Sequence, residues 1–315
     1  MIEVKNLVKR YGDHYAVNHL SFTVEDGQIF GFLGPNGAGK STTMNIITGY
    51  LASTDGSVTI NGYDILEDTE AAKKNIGYLP ELPPLYFDMT VKEYLDFVAE
   101  LKKLDKSLRA GYVKEAMKIT RTEEVSGRLI RNLSKGYRQR VGFAQAVLGY
   151  PEILILDEPT VGLDPKQIIE IRDLIRELGK KHTIILSSHI LSEISAVCDH
   201  VFIISHGKLV ASDSTENLLE RMTGAQEIEL LLKAEENEAE TAIREIAQVE
   251  RCEKTEAKED GTVGLLVTAK KDADVREAIY HTCVEHHMPI LEMKAASKSL
   301  EDVFLELTSQ EGGTK

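Results

Sequence analysis

Residues 34–42, with the sequence GPNGAGKST, combine glycine, lysine and hydroxyl side chains at a spacing that can hold phosphate groups. Glycines let the backbone turn tightly, so that successive N–H groups point at phosphate oxygens. Lys40 can then reach the β- and γ-phosphates of a nucleotide, and the Ser41 hydroxyl can ligate Mg²⁺. An apolar run precedes this loop and a helical pattern follows it, which is the context that the motif requires. The predicted phosphate-binding residues are Gly34, Pro35, Asn36, Gly37, Ala38, Gly39, Lys40, Ser41 and Thr42.

A second set of candidate residues follows the apolar run 153–156, where Asp157 and Glu158 stand side by side. Such a short apolar run is typical of a strand that is covered on both faces. An aspartate at the end of a strand beside the phosphate loop can hold Mg²⁺, directly or through water. Because side chains alternate along a strand, Glu158 is expected to point elsewhere and to act as general base toward an attacking water.

A third segment, LSKGYRQR at residues 133–140, offers a serine and a glycine at the start of a predicted helix. Helix N-termini present free N–H groups and the positive end of the helix dipole, so this segment is a candidate second anion site. Taken alone it would be read as an ordinary helix cap. Its position between the phosphate loop and the acidic pair favours the interpretation as an anion site.

The order of these segments resembles that of ABC-type ATPases, whose signature motif, usually written LSGGQ, matches LSKGY in position. The resemblance extends from residue 1 to about residue 220. It implies ATP and Mg²⁺ as cofactors, with Tyr11 stacked on adenine and His189 on the γ-phosphate beside the catalytic Glu158. It also implies that Asp164 lies across a dimer interface. The signature residues that would face the ATP of a partner subunit are Ser134, Lys135 and Gly136.

Two positions depart from the family pattern. The family usually has glutamine in the loop that joins the core to the helical insertion, whereas IGYLPELPPLY has Glu81 there. A carboxylate oxygen can still ligate Mg²⁺, with Ser41 and Asp157, or hold water. Its charge beside the γ-phosphate is expected to weaken ATP binding or to alter the metal requirement. Lys135 replaces a glycine of the signature, and we expect the phosphate contact to run through Ser134 and the Gly136 backbone.

The same resemblance implies an active site that two subunits share, in which the phosphate loop of one faces the signature of the other. Since the chain carries one of each, we expect a head-to-tail dimer, as a homodimer, with ATP between the copies. The segment IGYLPE and the ending SLEDVFLELT resemble the ATPase subunits of ABC-2-type exporters. The helical insertion and the loop around Glu81 are then expected to act on a transmembrane permease, from the cytoplasmic face of the cell membrane.

The elements that must position these residues form an α/β fold. Residues 1–33 read as strands, and after the phosphate loop strand and helix alternate, which indicates a mostly parallel sheet covered on both faces. The resemblance makes this a P-loop ABC ATPase domain with antiparallel strands at its N-terminus. Residues 82–150 contain amphipathic helices and read as a helical insertion, and at residue 153 the alternation of strand and helix returns.

A domain boundary is predicted near residue 222, between an ABC ATPase domain at 1–222 and a C-terminal accessory domain at 223–315. Beyond it the order β-α-β-β-α-β matches the split βαβ motif, so a small, ferredoxin-like α+β domain is expected. A last helix is predicted from Ser299, and we expect the tail to help two subunits associate or to regulate them. The predicted tail elements are strand 226–233, helix 235–248, strands 249–257 and 262–269, helix 272–287 and strand 289–295.

The composition limits the classes of function. The net charge is −14, and residues 222–315 alone carry 11 basic and 21 acidic residues, which argues against a nucleic-acid binder. Three cysteines that lie far apart in the sequence suggest a reducing cytosol rather than a disulfide framework. The N-terminus lacks a signal-peptide core, and no apolar run reaches the roughly 18 residues of a membrane span. A membrane role is therefore expected to come through a partner.

Three alternatives stay open. An ABC ATPase that acts on DNA or ribosomes usually has two cassettes, a long coiled coil or basic surfaces, and this chain shows one cassette and an acidic tail. A regulatory module that keeps ATP and barely turns it over is suggested by Glu81. The tail segment HTCVEHH suggests a metal site, but His281 and Glu285 would share one helix face and Cys283 and His287 another. That division favours a solvated helix end.

Overall fold

The structure of the protein is a computed structural model that describes residues 1–217, 227–255, 261–270 and 273–296. The described chain divides into two compact units, one that ends at Thr215 and one that begins at Glu216. The boundary predicted at residue 222 lies outside the described residues, so that division stays a prediction. Within the described residues, no helix is both long enough and apolar enough to cross a lipid bilayer.

Ten strands and seven helices of the described residues build the first unit. The strands are β1 (Ile2–Tyr11), β2 (His14–Val24), β3 (Ile29–Leu33), β4 (Asp55–Ile60), β5 (Tyr63–Asp64), β6 (Ile76–Leu79), β7 (Ile153–Asp157), β8 (Thr183–Ser188), β9 (His200–Ser205) and β10 (Lys208–Ser214). The helices are α1 (Lys40–Ile47), α2 (Thr69–Lys74), α3 (Val91–Leu101), α4 (Arg109–Ile119), α5 (Lys135–Val147), α6 (Pro165–Gly179) and α7 (Leu191–Ser195).

The smaller sheet of this unit is antiparallel, in the order β2-β1-β4-β5. Along β2, buried and exposed side chains alternate, because one face of the sheet packs on the core and the other meets solvent. β4 and β5 are joined by Asn61 and Gly62, which both have positive φ, as the tightest hairpin turn requires. The antiparallel strands expected at the N-terminus are confirmed.

The larger sheet is the parallel core, in the order β10-β9-β3-β8-β7-β6, with only β10 antiparallel to its neighbour. Every residue of β3, β7 and β8 is buried, which is why these strands read as unbroken apolar runs. Because the three strands run parallel, their carboxyl ends meet at one edge of the sheet. The phosphate loop, Asp157 and His189 all follow those ends.

Aromatic side chains join the two sheets in one core. Phe22 of β2 contacts Phe32 of β3 and Phe202 of β9, with ring centroids 5.5 and 4.9 Å apart. Tilted ring contacts of this kind add to the stabilisation that burial of the rings gives. These ring contacts therefore pack the antiparallel sheet against the parallel sheet that carries the loops.

The helical insertion consists of α3, α4 and α5, as predicted, with two short 3₁₀ turns at Glu123–Val125 and Ile130–Asn132. Thr90 starts α3 through a reciprocal capping box with Glu93. At the other end of the insertion, Lys102 Nζ donates to the carbonyl oxygens of Gln145 at 2.9 Å and Leu148 at 2.8 Å. The ammonium thus caps the C-terminus of α5, where carbonyl groups lack helical partners.

Three elements of the first unit differ from the sequence-based prediction. The residue pattern of ILSEISAVC, residues 190–198, predicts one helix over the whole segment, and the structure confines it to α7, five residues long. Strand β6 and helix α2 were not predicted at all. β6 has only four residues, and it becomes a strand by pairing with β7 across a long stretch of intervening chain. Propensity within so short a window carries little information.

The second unit has the order β-α-β-β-α-β, which confirms the predicted ferredoxin-like fold class. Its sheet is antiparallel, in the order β12-β13-β11-β14, so the first and third strands lie in the middle. The helix predicted from Ser299 lies outside the described residues. The described elements of the second unit are β11 (Glu227–Leu232), α8 (Glu236–Arg244), β12 (Val249–Thr255), β13 (Val263–Ala269), α9 (Arg276–Glu285) and β14 (Ile290–Ala296).

The histidine-rich end of α9 contains Cys283, which is buried in the core of this unit. Burial raises the pKa of the Cys283 thiol to about 11, so the thiol stays protonated at neutral pH. His281 lies 3.8 Å from Glu277, one turn earlier on the same helix. Within the described residues of this segment, no three histidine, cysteine or acidic side chains converge on a point that could hold a metal ion.

Candidate functional site

The phosphate loop leaves β3 at Leu33 and ends where α1 begins at Lys40. Gly37 has φ +82°, and a Cβ added there would meet no atom within 4 Å, so its backbone faces open space. Gly39 has φ +103°, and a Cβ there would lie 2.3 Å from the Ala16 carbonyl oxygen. Only glycine fits at the second position, and the first leaves backbone N–H groups accessible to an anion at the helix N-terminus.

Lys40 is buried below this loop, with 6% of its surface exposed. Its Nζ donates to the Gly34 carbonyl oxygen at 2.7 Å and to that of Pro35 at 3.3 Å. The same Nζ lies 3.4 Å from Glu158 Oε1. A buried ammonium needs such partners, because an unpaired charge in the interior is costly. Lys40 therefore links the phosphate loop to the acidic pair.

Asp157 ends β7 and is 3% exposed. Its Oδ1 accepts from Ser41 Oγ at 3.3 Å and from Ser187 Oγ at 2.5 Å. The Ser41 hydroxyl and the Asp157 carboxylate thus lie side by side, and hard oxygen donors of this kind suit Mg²⁺. The donor set fits the ion that the sequence analysis predicted.

Glu158 has φ +47°, an uncommon conformation for a residue with a side chain. Its N–H donates to Ser187 Oγ at 2.9 Å, which anchors the backbone, and its Oε2 lies 2.9 Å from His189 Nδ1. Glu158 lies one residue beyond β7, so its own backbone turn and these contacts fix its side chain, rather than the alternation along the strand that the sequence analysis assumed. The carboxylate bridges Lys40 on one oxygen and His189 on the other.

These residues surround one cavity of about 490 Å³, within the usual size range for small-molecule sites. Tyr11 also lines it and is 52% exposed, and Lys9 Nζ lies 5.3 Å from the centroid of its ring. Glu81 lines the cavity as well, at the position where the family pattern has glutamine. The other predicted residues that line it are Asn36, Gly37, Gly39, Lys40, Ser41, Thr42, Glu158 and His189.

Three residues that line the cavity were not predicted, namely His14, Ala16 and Val161. His14 pairs with Tyr11 directly across the β1–β2 hairpin, so the hairpin turn at Gly12 was the signal that could have found it. Ala16 enters only because its carbonyl oxygen contacts Gly39. No sequence pattern marks a backbone contact of that kind.

The signature residues lie in a different place. Ser134 and Gly136 line a separate cavity of about 390 Å³ together with Asp164 and Gln167. Ser134 caps α5 by accepting from Tyr137 N at 3.4 Å, and Asp164 caps α6 by accepting from Gln167 N at 2.9 Å. The start of α5, where the sequence predicts an anion site, is a capped helix N-terminus that lines its own cavity and not the phosphate-loop cavity.

Lys135 extends from the signature toward the loop before α6. A Cβ added to Gly162 would lie 2.0 Å from Lys135 Nζ, and one added to Gly136 would lie 2.7 Å from the Gln167 side chain. The two helix N-termini are thus packed tightly against each other. A Cβ at either glycine would displace the end of a flexible side chain, and Gly162 also has φ +69°, a conformation that favours glycine.

Comparison with known proteins agrees with this geometry. The family model described as "ABC transporter" matches residues 17–161. The bacitracin transport ATP-binding protein of Bacillus licheniformis is 34% identical over 100% of this chain and 98% of its own length. The linearmycin resistance ATP-binding protein of Bacillus subtilis is 31% identical over 98% of this chain and 99% of its own. The dimeric structure of a bacterial ABC transporter cassette has a TM-score of 0.62 and 25% identity, over 68% of this chain and 98% of that one.

The parallel core, the phosphate loop and the acidic pair define a P-loop ATPase of the ABC type. The chain belongs to the family of ABC transporter ATP-binding proteins. It is the ATPase subunit of such a transporter, which binds and hydrolyses ATP. The roles of its individual residues stay predictions.

Proposed function

We propose that two copies of this chain close on ATP and drive an ABC-2-type exporter from the cytoplasmic face of the cell membrane. The observation that carries this proposal is the split site. The cavity with Lys40 and Glu158 lacks the Ser134 helix N-terminus, which lines a cavity of its own. A second copy, arranged head to tail, supplies the missing anion site. That a related cassette has been solved as a dimer supports the arrangement.

The contacts of Lys40 indicate the order in which phosphate binding and hydrolysis occur. Its ammonium neutralises Glu158 at 3.4 Å, and in the proposed complex it binds the phosphates instead. Glu158 is then free to accept the proton of the attacking water, while His189 keeps the carboxylate oriented through Oε2. Ser41, Asp157 and Glu81 would hold Mg²⁺, which when bound neutralises charge on the phosphates.

The proposed contact with the permease is a groove of about 590 Å³ beside the helical insertion. Tyr50 and Leu82 line it and are 83% and 80% exposed, which is unusual for large apolar side chains. Pro80 and Leu82 flank Glu81, so the groove and the ATP cavity are two sides of one short loop. A movement of this loop when the γ-phosphate binds or leaves would therefore displace a permease segment that is bound in the groove.

Export as the direction of transport is supported by the names of two relatives, which concern bacitracin transport and linearmycin resistance. Purification of the chain from membranes tests the proposal. We expect a multi-spanning permease to co-purify, and Tyr50→Asp together with Leu82→Asp to release it while nucleotide binding persists. Release of no permease by the double variant, or no permease in the preparation, would contradict the proposed coupling.

A further inference from the structure

Glu193 is a buried carboxylate to which none of the roles above assigns a task. It lies in α7 and is 6% exposed. Its Oε2 accepts from Thr160 Oγ1 at 2.5 Å and from Ser188 Oγ at 3.1 Å. Burial removes the competition from water for both hydrogen bonds.

The two hydroxyl groups belong to residues beside the proposed catalytic pair. Thr160 stands two residues after Glu158, and Ser188, the last residue of β8, stands directly before His189. Both hydroxyl-bearing residues are buried, at 5% and 1% exposure. One carboxylate oxygen therefore joins the loop that follows β7 to the end of β8.

The two hydrogen bonds that Glu193 accepts matter because Glu158 has an unfavourable backbone conformation, with φ +47°. Such conformations persist only where the surroundings enforce them. Ser187 holds the Glu158 N–H, on the strand side of the residue, at 2.9 Å. On the other side the turn continues through Val161 N, which donates to the Glu158 carbonyl oxygen at 3.2 Å, and Thr160 anchors this turn to Glu193.

We propose that Glu193 is a positioning residue for ATP hydrolysis. By tying Thr160 to Ser188, it keeps the Glu158 carboxylate and the His189 imidazole in the relative position that the 2.9 Å contact shows. Glu193 contacts neither nucleotide nor water in this role. The inference rests on the proposed function of Glu158 as the base.

The test measures steady-state ATP hydrolysis and nucleotide affinity of the full chain for Glu193→Gln, Thr160→Val and the double variant. We expect each single variant to lower kcat at least about tenfold, since misplacement of a catalytic group has effects of this size. Nucleotide affinity should stay within about twofold, because neither residue lines the ATP cavity. If both act through one hydrogen bond, the double variant should be no slower than the slower single variant.

Two controls separate positioning from general loss of structure. Thr160→Ser keeps the hydroxyl and should recover at least half of kcat. Thr183→Val removes a buried hydroxyl at the opposite end of β8, where it accepts from Gly27 N at 2.9 Å, and should leave kcat within twofold. The proposal is overturned if kcat of Thr160→Val stays within twofold of wild type, or if the two single losses multiply in the double variant. Absence of hydrolysis by the wild-type chain would instead overturn the proposed function.

Discussion

At the scale of single residues, Glu158 combines backbone strain with charge pairing. A positive φ on a residue with a side chain costs about 1–3 kcal/mol, which the fold must supply from elsewhere. In return the carboxylate faces Lys40 and His189 rather than Asp157.

Replacing Glu158 with glutamine should therefore stop hydrolysis and preserve binding. We expect kcat to fall about 10²–10⁴-fold, which is the usual contribution of a general base, with ATP affinity nearly unchanged. Steady-state phosphate release and nucleotide titration measure the two quantities. Glu177→Gln, an exposed position on α6, is the matched control. Unchanged turnover in Glu158→Gln would show that another group activates the water.

Glu81 is the residue at which the chain departs from its family. Its carboxylate lines the ATP cavity and places a negative charge near the proposed γ-phosphate position. Glutamine keeps an oxygen that can ligate Mg²⁺ but carries no charge, so Glu81→Gln should tighten Mg-ATP binding about two- to tenfold, because like charges in a partly enclosed site repel. Glu81→Asp keeps the charge and should show no gain in affinity. Weaker Mg-ATP binding by Glu81→Gln would instead indicate that the carboxylate is needed as a metal ligand.

At the scale of elements, much of the site could be predicted because its motifs lie at the ends of buried strands. Apolar runs precede the phosphate loop, Asp157 and the two serines before His189, so a parallel sheet and its loop-bearing edge follow from the pattern. The short β6 and α2 could not be found in this way, because tertiary pairing and packing define them. Glu193, Thr160 and the Ala16 carbonyl contact belong to the same class, since only the fold brings them to the site.

Lys102 shows how one side chain stabilises the helical insertion. Its ammonium caps three carbonyl groups at the end of α5, so Lys102→Met should lower the free energy of unfolding by about 1–3 kcal/mol. Lys103→Met is the matched control, because Lys103 forms only an exposed ion pair with Glu70, and it should change stability by less than about 0.5 kcal/mol. Denaturant unfolding of the three proteins measures the difference.

At the scale of the whole molecule, the second unit is a compact βαββαβ fold with its own core. We propose that it assists association of the subunits or regulates them. A chain truncated after residue 222 should then dimerise more weakly with ATP or hydrolyse ATP at a different rate. Sedimentation and steady-state kinetics measure both properties. If neither changes, the second unit has no part in the ATPase cycle.

The central claim concerns a site that one chain cannot complete, because the helix N-terminus at Ser134 lies outside the cavity that holds Lys40 and Glu158. Its most direct test is the solution mass of the full-length Glu158→Gln variant at saturating Mg-ATP, compared with the same protein without nucleotide. Nucleotide should convert particles of single-copy mass, 35.0 kDa, into particles of twice that mass. Particles that keep single-copy mass while ATP is bound would contradict the shared site.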